Sequence, residues 1–378
     1  MTTSCDPSEL GDQLVEYYSI PAYDTGSAQI VPASSIQSNK FLVPDEAVLV
    51  SRLNPHIPRV WLVSGHSRYL RLCSTEFVPL IPQQPTSSLF VYQLCRSPGF
   101  LSALEELVTG TTGSHQRVDR SALLHIPVPL PPLSEQRAIA EVLGALDDKI
   151  EANRRVATRA NQLAALLLEQ MLQQAVTKQS AIQVRLGDIA AINVRSVTSS
   201  LGRLRYLDIA SVGDGTAGQP TSMDWSEAPS RARRGVADGD TLWSTVRPNR
   251  RSHCLILDPP PDLVVSTGFA VLTPTGVGPS LLYGLTDRRE FTDFLTSSAD
   301  GSAYPAVRAE RILDASLVLP PPNVQQSFEE STMPLRRLVH AVAQESIVLS
   351  TLRDALLPKL LSGELRVKDA EPLVETAL

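Results

Sequence analysis

The chain has 378 residues, 43% hydrophobic and 20% charged, which is length enough for two ordinary domains and too apolar for a disordered chain. Its 34 Lys and Arg against 40 Asp and Glu leave a net charge of −6, which taken alone argues against a strongly basic nucleic-acid binder. The four cysteines, Cys5, Cys73, Cys95 and Cys254, are far apart and form no Cys-x-x-Cys pair, so neither a zinc knuckle nor a disulfide framework is indicated.

The opening residues, with Cys5, Asp6 and Glu9, lack the basic and apolar regions of a signal peptide. Strand-like runs follow at residues 47–50 and 60–63, and between them lie Arg52, Asn54, His56 and Arg59. Residues 110–114 are glycine-rich and read as a turn. Ile126-Pro127-Val128-Pro129-Leu130-Pro131-Pro132 is a hinge, because proline suits neither a helix interior nor a central strand. A long helix is then predicted to open at Ser134, an N-cap residue. Its apolar positions are Ile139, Leu143, Leu146, Ile150, Ala157, Ala160, Ala164, Leu167 and Met171, a coiled-coil seam interrupted by Asn153. Reaching Val176 at about 1.5 Å per residue, this helix would span roughly 60 Å, a spacer rather than a core element. Its longest aliphatic run, residues 163–168, closes at Glu169 and is too short to cross a bilayer. The expectation is a soluble protein of a reducing compartment, the cytoplasm.

The second half repeats the first. Leu10-Gly11-Asp12 returns as Leu186-Gly187-Asp188, and Ser74-Thr75-Glu76-Phe77 as Ser266-Thr267-Gly268-Phe269. Val118, Leu130-Pro131-Pro132 and Gln136 meet Val307, Leu319-Pro320-Pro321 and Gln325 at one shared offset. Matches in the same order predict a duplication. The second copy carries a strand-like run at 264–273, the hinge Leu319-Pro320-Pro321-Pro322, and a second helix. That helix has seam positions Leu335, Leu338, Val342, Leu349, Leu352 and Leu356, with Glu345 in one inner slot. Pro334 cuts into it, so the helix is expected to begin later or to kink there. The predicted class is α+β: mixed heads at 1–125 and 181–315, hinge-and-helix segments at 126–180 and 316–378, and the two helices pairing antiparallel about an internal pseudo-twofold repeat.

Charge is unevenly distributed. Arginine supplies 29 of the 34 cations, and all 14 cations of residues 181–315 are arginines. Arg231, Arg233 and Arg234 form one cluster; Arg247, Arg250 and Arg251, with Asn249 and His253, form another. Arginine and asparagine each offer the bidentate hydrogen bonding that reads base edges in the major groove, to guanine and adenine respectively. A solvated surface loop is the plainer reading of either cluster. The set Arg52, Asn54, His56 and Arg59 is the thinner counterpart of the second cluster, at the same place in the repeat. Catalytic signals are missing: no Gly-x4-Gly-Lys-Ser/Thr loop, no His-Glu-x-x-His and no Gly-x-Ser-x-Gly. His56, His115 and His253 read as polar-loop residues, and no histidine has metal-ligand spacing. Asp258-Pro259-Pro260-Pro261 lacks the aromatic that would stack on a flipped base and reads as a proline turn.

Two stretches of helix resemble a known family. Leu130-Pro131-Pro132-Leu133-Ser134-Glu135-Gln136-Arg137, continuing through Leu146-Asp147-Asp148-Lys149-Ile150-Glu151-Ala152-Asn153-Arg154-Arg155, resembles the central conserved region of type I restriction–modification specificity (S) subunits. Leu352-Arg353-Asp354-Ala355-Leu356-Leu357-Pro358-Lys359-Leu360-Leu361-Ser362-Gly363-Glu364 resembles their C-terminal conserved region. Arg52-Leu53-Asn54-Pro55, Ser74-Thr75-Glu76-Phe77, Gly113-Ser114-His115-Gln116 and Thr245-Val246-Arg247-Pro248 are similar to motifs of their target-recognition domains. The second hinge departs from the pattern, reading Pro320-Pro321-Pro322-Asn323-Val324-Gln325-Gln326 without the Glu-Gln pair.

The resemblance implies a non-catalytic subunit in which two target-recognition domains each read one half of a bipartite, asymmetric site on double-stranded DNA. The helices would set the spacing and dock methyltransferase subunits, two of them, with restriction/translocase subunits completing the enzyme. S-adenosylmethionine, ATP and Mg2+ belong on those partners and none on this chain; no membrane is involved. The DNA-reading candidates are then Arg52, Asn54, His56, Arg59, Ser114, His115, Gln116 and Arg117 in the first copy. In the second they are Arg231, Arg233, Arg234, Arg247, Asn249, Arg250, Arg251 and Tyr304. Asn153, Glu345 and the Ala157/Ala160/Ala164 face become candidates for register or docking. A methylation-only complex and a duplicated coiled-coil adapter that binds protein are the alternatives.

Overall fold

The computed structural model describes residues 3–83, 85–109, 116–197, 202–301 and 305–378. It forms two units, one of residues 1–152 with 345–378 and one of residues 153–344. A central helix, Leu133–Thr177, and a distal helix, Pro322–Ser362, each contribute a segment to both.

Both units carry the same strand order. In the first, Lys40–Leu42, Leu70–Cys73, Leu14–Tyr18 and Gln29–Pro32 lie side by side, with Leu14–Tyr18 and Leu70–Cys73 parallel. In the second, Ala232–Gly235, Leu263–Ser266, Arg203–Leu207 and Thr221–Asp224 repeat that sequence of neighbours, and again the middle pair is parallel. A second sheet recurs as well. Val60–Leu62, Val48–Ser51 and Phe77–Leu80 in the first unit match His253–Leu255, Thr241–Ser244 and Phe269–Pro274 in the second. The middle strand of each is buried on both faces, Val48–Ser51 in one and Thr241–Ser244 in the other. Such strands read as continuous apolar runs rather than alternating ones.

Each helix segment packs on its own unit. Ile139, Leu143 and Leu146 meet Leu349, Leu356, Leu357 and Leu360 in the first unit, together with Phe90, Leu94 and the buried face of the terminal helix Val367–Ala377. Asp147 pairs with Arg353 at 2.8 Å and Lys149 with Glu345 at 3.3 Å, so the two helices run antiparallel here. In the second unit Leu168, Met171 and Leu172 share a core with Phe328. There Arg336 Nη1 donates to Asn161 Oδ1 at 2.8 Å, again in antiparallel order.

Three helix expectations need correction. The central helix begins at Leu133, so Ser134 lies inside it rather than capping it; the Pro132 carbonyl accepts from Glu135 and Gln136 instead. The distal helix is continuous from Pro322 through Pro334, its first residue being a proline whose fixed φ suits that place. Between 322 and 344 the inward face is Phe328, Thr332 and Arg336, all buried, whereas Leu338 is 42% exposed. Of the predicted positions here Leu338 faces out while Leu335 and Val342 are half-buried, and part of the inward contact is polar: Thr332 Oγ1 lies 2.8 Å from Ser280 Oγ, and Arg336 stacks on Tyr283.

The proline hinges are tied down alike. Gln136 Nε2 donates to the Pro131 carbonyl and Gln325 Nε2 to the Pro320 carbonyl, both at 2.8 Å. Gln136 Oε1 also accepts the Ser87 N–H, at the start of the helix Ser88–Arg96. In the second unit Glu329 does that work, accepting from Ser280 and Leu281 at 3.0 and 3.1 Å at the start of the helix Pro279–Asp287. A carboxylate at the positive end of a helix is favourable, so the missing Glu-Gln pair is replaced one turn further on.

Candidate nucleic-acid interface

The two sets of polar residues occupy one kind of loop, built twice. The first loop, residues 52–59, joins Val48–Ser51 to Val60–Leu62; the second, residues 245–252, joins Thr241–Ser244 to His253–Leu255. Ser51 closes the first loop by donating its N–H to the Arg59 carbonyl at 2.9 Å, and Ser244 closes the second through the Ser252 carbonyl at 2.8 Å. Ser51 Oγ donates to the Leu53 carbonyl and accepts the Leu53 N–H; Ser244 Oγ treats Val246 the same way.

At the loop corners Asn54 and Arg247 both have φ of 49°, and each precedes a proline. That left-handed conformation costs a residue with a Cβ roughly 1 kcal/mol and must be imposed by its surroundings. The Asn54 N–H donates to the Gln116 carbonyl at 2.8 Å and the Arg247 N–H to the Pro305 carbonyl at 2.7 Å. Val118 and Val307, paired in the duplication, donate to the Arg52 and Thr245 carbonyls.

The Ser-Thr-x-Phe turns hold the rest. Ser74 Oγ accepts the Glu76 N–H and Ser266 Oγ the Gly268 N–H. In the first unit the Glu76 carbonyl accepts the Arg52 N–H, while its carboxylate grips Arg117 at 2.8 and 3.1 Å. In the second unit Thr267 N–H donates to the Arg231 carbonyl and the Gly268 carbonyl accepts the Thr245 N–H. One turn therefore brings the 231–234 cluster beside the second loop.

The candidate side chains differ in how free they are. His56, Arg231, Asn249 and Arg250 are exposed; Asn249 and Arg250 ride on the tight turn Pro248–Arg250. Gln116 and Arg247 are half-buried. Arg52 Nε, Asn54 Oδ1 and Arg234 Nε are buried without a hydrogen-bond partner, and burial lowers the Arg234 pKa. Arg233 stacks on Trp225, 5.0 Å from its ring centre. Arg59 is committed to Asp24 by a forked pair at 2.7 and 3.1 Å, and Arg251 to Asp214 and Asp287. Ser114, His115 and Tyr304 lie outside the described residues, as does the 110–114 turn.

His253 is not a loop residue. It sits on the strand His253–Leu255, fully buried, 4.2 Å from the Trp243 ring. Its Nε2 lies 2.8 Å from Asp287 Oδ1, and its Nδ1 accepts the Gly215 N–H at 3.1 Å. That assigns the ring proton to Nε2. Among the described residues, Asp214, His253 and Asp287 are one acid–histidine group compact enough for a cation, with ligand atoms within 4.8 Å. Arg251 already supplies the positive charge there, and both ring nitrogens are engaged. Burial pushes the Asp287 pKa up, but the hydrogen bond from His253 and the charge of Arg251 outweigh it, and the pKa is lowered.

Sequence reasoning singled out Glu76 only as part of a repeated motif, and missed Asp24, Asp214 and Asp287, which hold arginines. Their partners lie far away in the chain, so no local motif signals them.

Residues 7–162 match the family model of the type I restriction modification DNA specificity domain. The chain is similar to the specificity subunit of the type I restriction enzyme MjaIX of Methanocaldococcus jannaschii, 20% identical over 78% of this chain and 72% of that one. It is also similar to the type I restriction enzyme HindI specificity subunit of Haemophilus influenzae, 25% identical over 34% of this chain and 29% of that one. The fold is similar to a crystal structure of the type I restriction-modification system S subunit from M. genitalium, with TM-score 0.55 and 14% identity over 96% of each chain.

Proposed function

We propose that the chain is a type I restriction–modification specificity subunit, a protein that recognises DNA sequence, and that each of its two loops reads one half of a bipartite site. What supports this reading is that one loop is built twice, hydrogen bond for hydrogen bond, each time around a strained corner that displays asparagine, histidine or arginine. Strain retained at two equivalent corners is the mark of a working part. In the first loop His56 is the exposed reader, with Arg52 and Asn54 half-buried behind it and Gln116 and Arg117 at the rim. In the second the readers are Arg247, Asn249 and Arg250, with Arg231, Arg233 and Arg234 beside them. Arg59 and Arg251 act through the loops rather than on the bases.

The chain does the reading and partner subunits do the chemistry. The paired helices set the gap between half-sites and dock two methyltransferase subunits, which bind S-adenosylmethionine and methylate adenine at N6 after flipping it from the stack. Restriction/translocase subunits bring ATP and Mg2+. A complex that only methylates uses this chain identically, and the genes beside it distinguish the two. The net charge of −6 suits this division, since phosphate contacts position a complex while base contacts specify it, and partners can supply the former.

The test is methylation specificity of the complex assembled with its methyltransferase. Arg250→Ala should relax reading of the second half-site by about 1–3 kcal/mol, the worth of a bidentate base contact. Unaltered preference at both half-sites would remove the second loop from the interface.

A further inference from the structure

We propose that Asp287 and His253, acting through Arg251, are positioning residues that fix the base-reading turn of the second loop. The inference rests on the assignment of that loop to a half-site. Arg251 ends the turn Pro248–Arg250 and has φ of 53°, a backbone region that side chains with a Cβ rarely adopt. Its guanidinium is held on three sides. Nε donates to Asp214 Oδ2 at 3.0 Å, Nη2 donates to Asp287 Oδ1 at 2.6 Å and to the Asp287 carbonyl at 2.9 Å, and Nη1 donates to Thr292 Oγ1.

Asp287 is the last residue of the helix Pro279–Asp287, and Thr292 lies on the next helix, Arg289–Ser297. The turn is thereby anchored to the junction of two helices whose core face is buried. His253 completes the frame from beneath, its Nε2–H directed at the same carboxylate oxygen that Arg251 uses. A histidine that is fully buried between Trp243 and Tyr283 has little freedom to move, so the carboxylate is aimed as well as neutralised.

With Asn54 and Arg247 superposed as the strained corners, the place of Arg251 is taken by Pro58. Proline fixes its own φ through its ring. Pro58 cannot take the positive φ of Arg251, so the two copies differ here, and only the second loop ends its turn in left-handed backbone held by a charged network. The charged version places Asn249 and Arg250, both exposed, directly ahead of the anchored residue. Arginine's rigid fork is what lets one side chain reach two carboxylates and a hydroxyl at once, and lysine lacks it.

The experiment uses the complete complex of this chain with its methyltransferase, and duplexes carrying the cognate site or one base-pair substitution in either half. Arg251→Lys and Asp287→Asn should each reduce discrimination at the second half-site by about tenfold, the equivalent of a lost well-placed base contact. Discrimination at the first half-site, read by the other unit, serves as the internal measure of intact assembly and should not change. Asn249→Ala and Arg250→Ala run alongside. If they relax the second half-site while Arg251→Lys and Asp287→Asn leave it untouched, the positioning role is overturned and the loop assignment stands. If none of the four alters it, the loop assignment itself fails and the inference with it. Equal loss at both half-sites on changing Arg251 or Asp287 assigns the network to general stability and also overturns the positioning role.

Discussion

Asn54 and Arg247 carry the same backbone angle in front of a proline, yet their side chains could hardly differ more. The conformation is therefore imposed by the loop and not chosen by the residue, and asparagine tolerates it better than arginine does. Arg247→Asn should leave the fold and its thermal midpoint essentially unchanged while altering which base pair the second half-site accepts. Thermal unfolding and methylation profiling of the same preparation check both halves of that statement. A variant that unfolds early would show that Arg247 holds the loop rather than reading through it.

At this scale the sequence showed residue types and hid their engagements. Arg52, Asn54, His56 and Arg59 stood out as a set, but nothing near Arg59 announces its forked pair with Asp24. Arg251 looked like its neighbour Arg250 until the fold brought Asp287 to it. His253 follows Arg250, Arg251 and Ser252 in sequence, which is why it read as a loop residue. The strand that buries it starts at that position.

Between elements, Asp147 is the joint of the first unit. It accepts from Gln93 and Arg96, which lie on the helix Ser88–Arg96, at 2.7 Å each, and from Arg353 of the distal helix at 2.8 Å. Burial alone would raise its pKa, but Arg96, Gln93 and Arg353 together pull it below the usual 3.8. A carboxylate depressed in this way contributes stability above its unfolded pKa and loses it as pH falls through the folded value. Asp147→Asn should destabilise the chain near neutral pH by roughly 3 kcal/mol, the low end of what unpairing a buried ion costs. The difference from the parent should narrow as the pH falls below about 4. Urea midpoints across that range measure it, and a pH-independent difference would contradict the ionic account.

The distal helix offers a second comparison. Phe328→Ala should cost about 3–5 kcal/mol because Phe328 is buried in the second core, whereas Leu338→Ala should cost under about 0.5 kcal/mol. Denaturant unfolding of the two variants separates the structural face from the leucine spacing. The helices were legible because their period is long and their prolines punctuate it. The face between 322 and 344 was not, because Thr332 and Arg336 do inside work that apolar periodicity cannot reveal. Pro334 sits on that helix without ending it.

Over the whole molecule, the duplication was the most informative signal, and it is repeated in strand order and in loop hydrogen bonds. Repetition at this level was accessible because Ser74, Val118 and Gln136 have counterparts in Ser266, Val307 and Gln325 that make the same kinds of bond. The strand order itself was not legible: a parallel pair between Leu14–Tyr18 and Leu70–Cys73 depends on contacts more than fifty residues apart. The net charge of −6 misleads until it is seen that arginines are concentrated near one loop and many are spent on internal carboxylates.

On the proposed reading, two loops built on one plan imply one bipartite target. The direct measurement is the map of N6-methyladenine in DNA from cells expressing this chain with its methyltransferase. A single motif with two specified parts and an unspecified gap is the expected result. DNA left uniformly unmethylated by a complex that is otherwise assembled and active, or methylation without a bipartite motif, would contradict it.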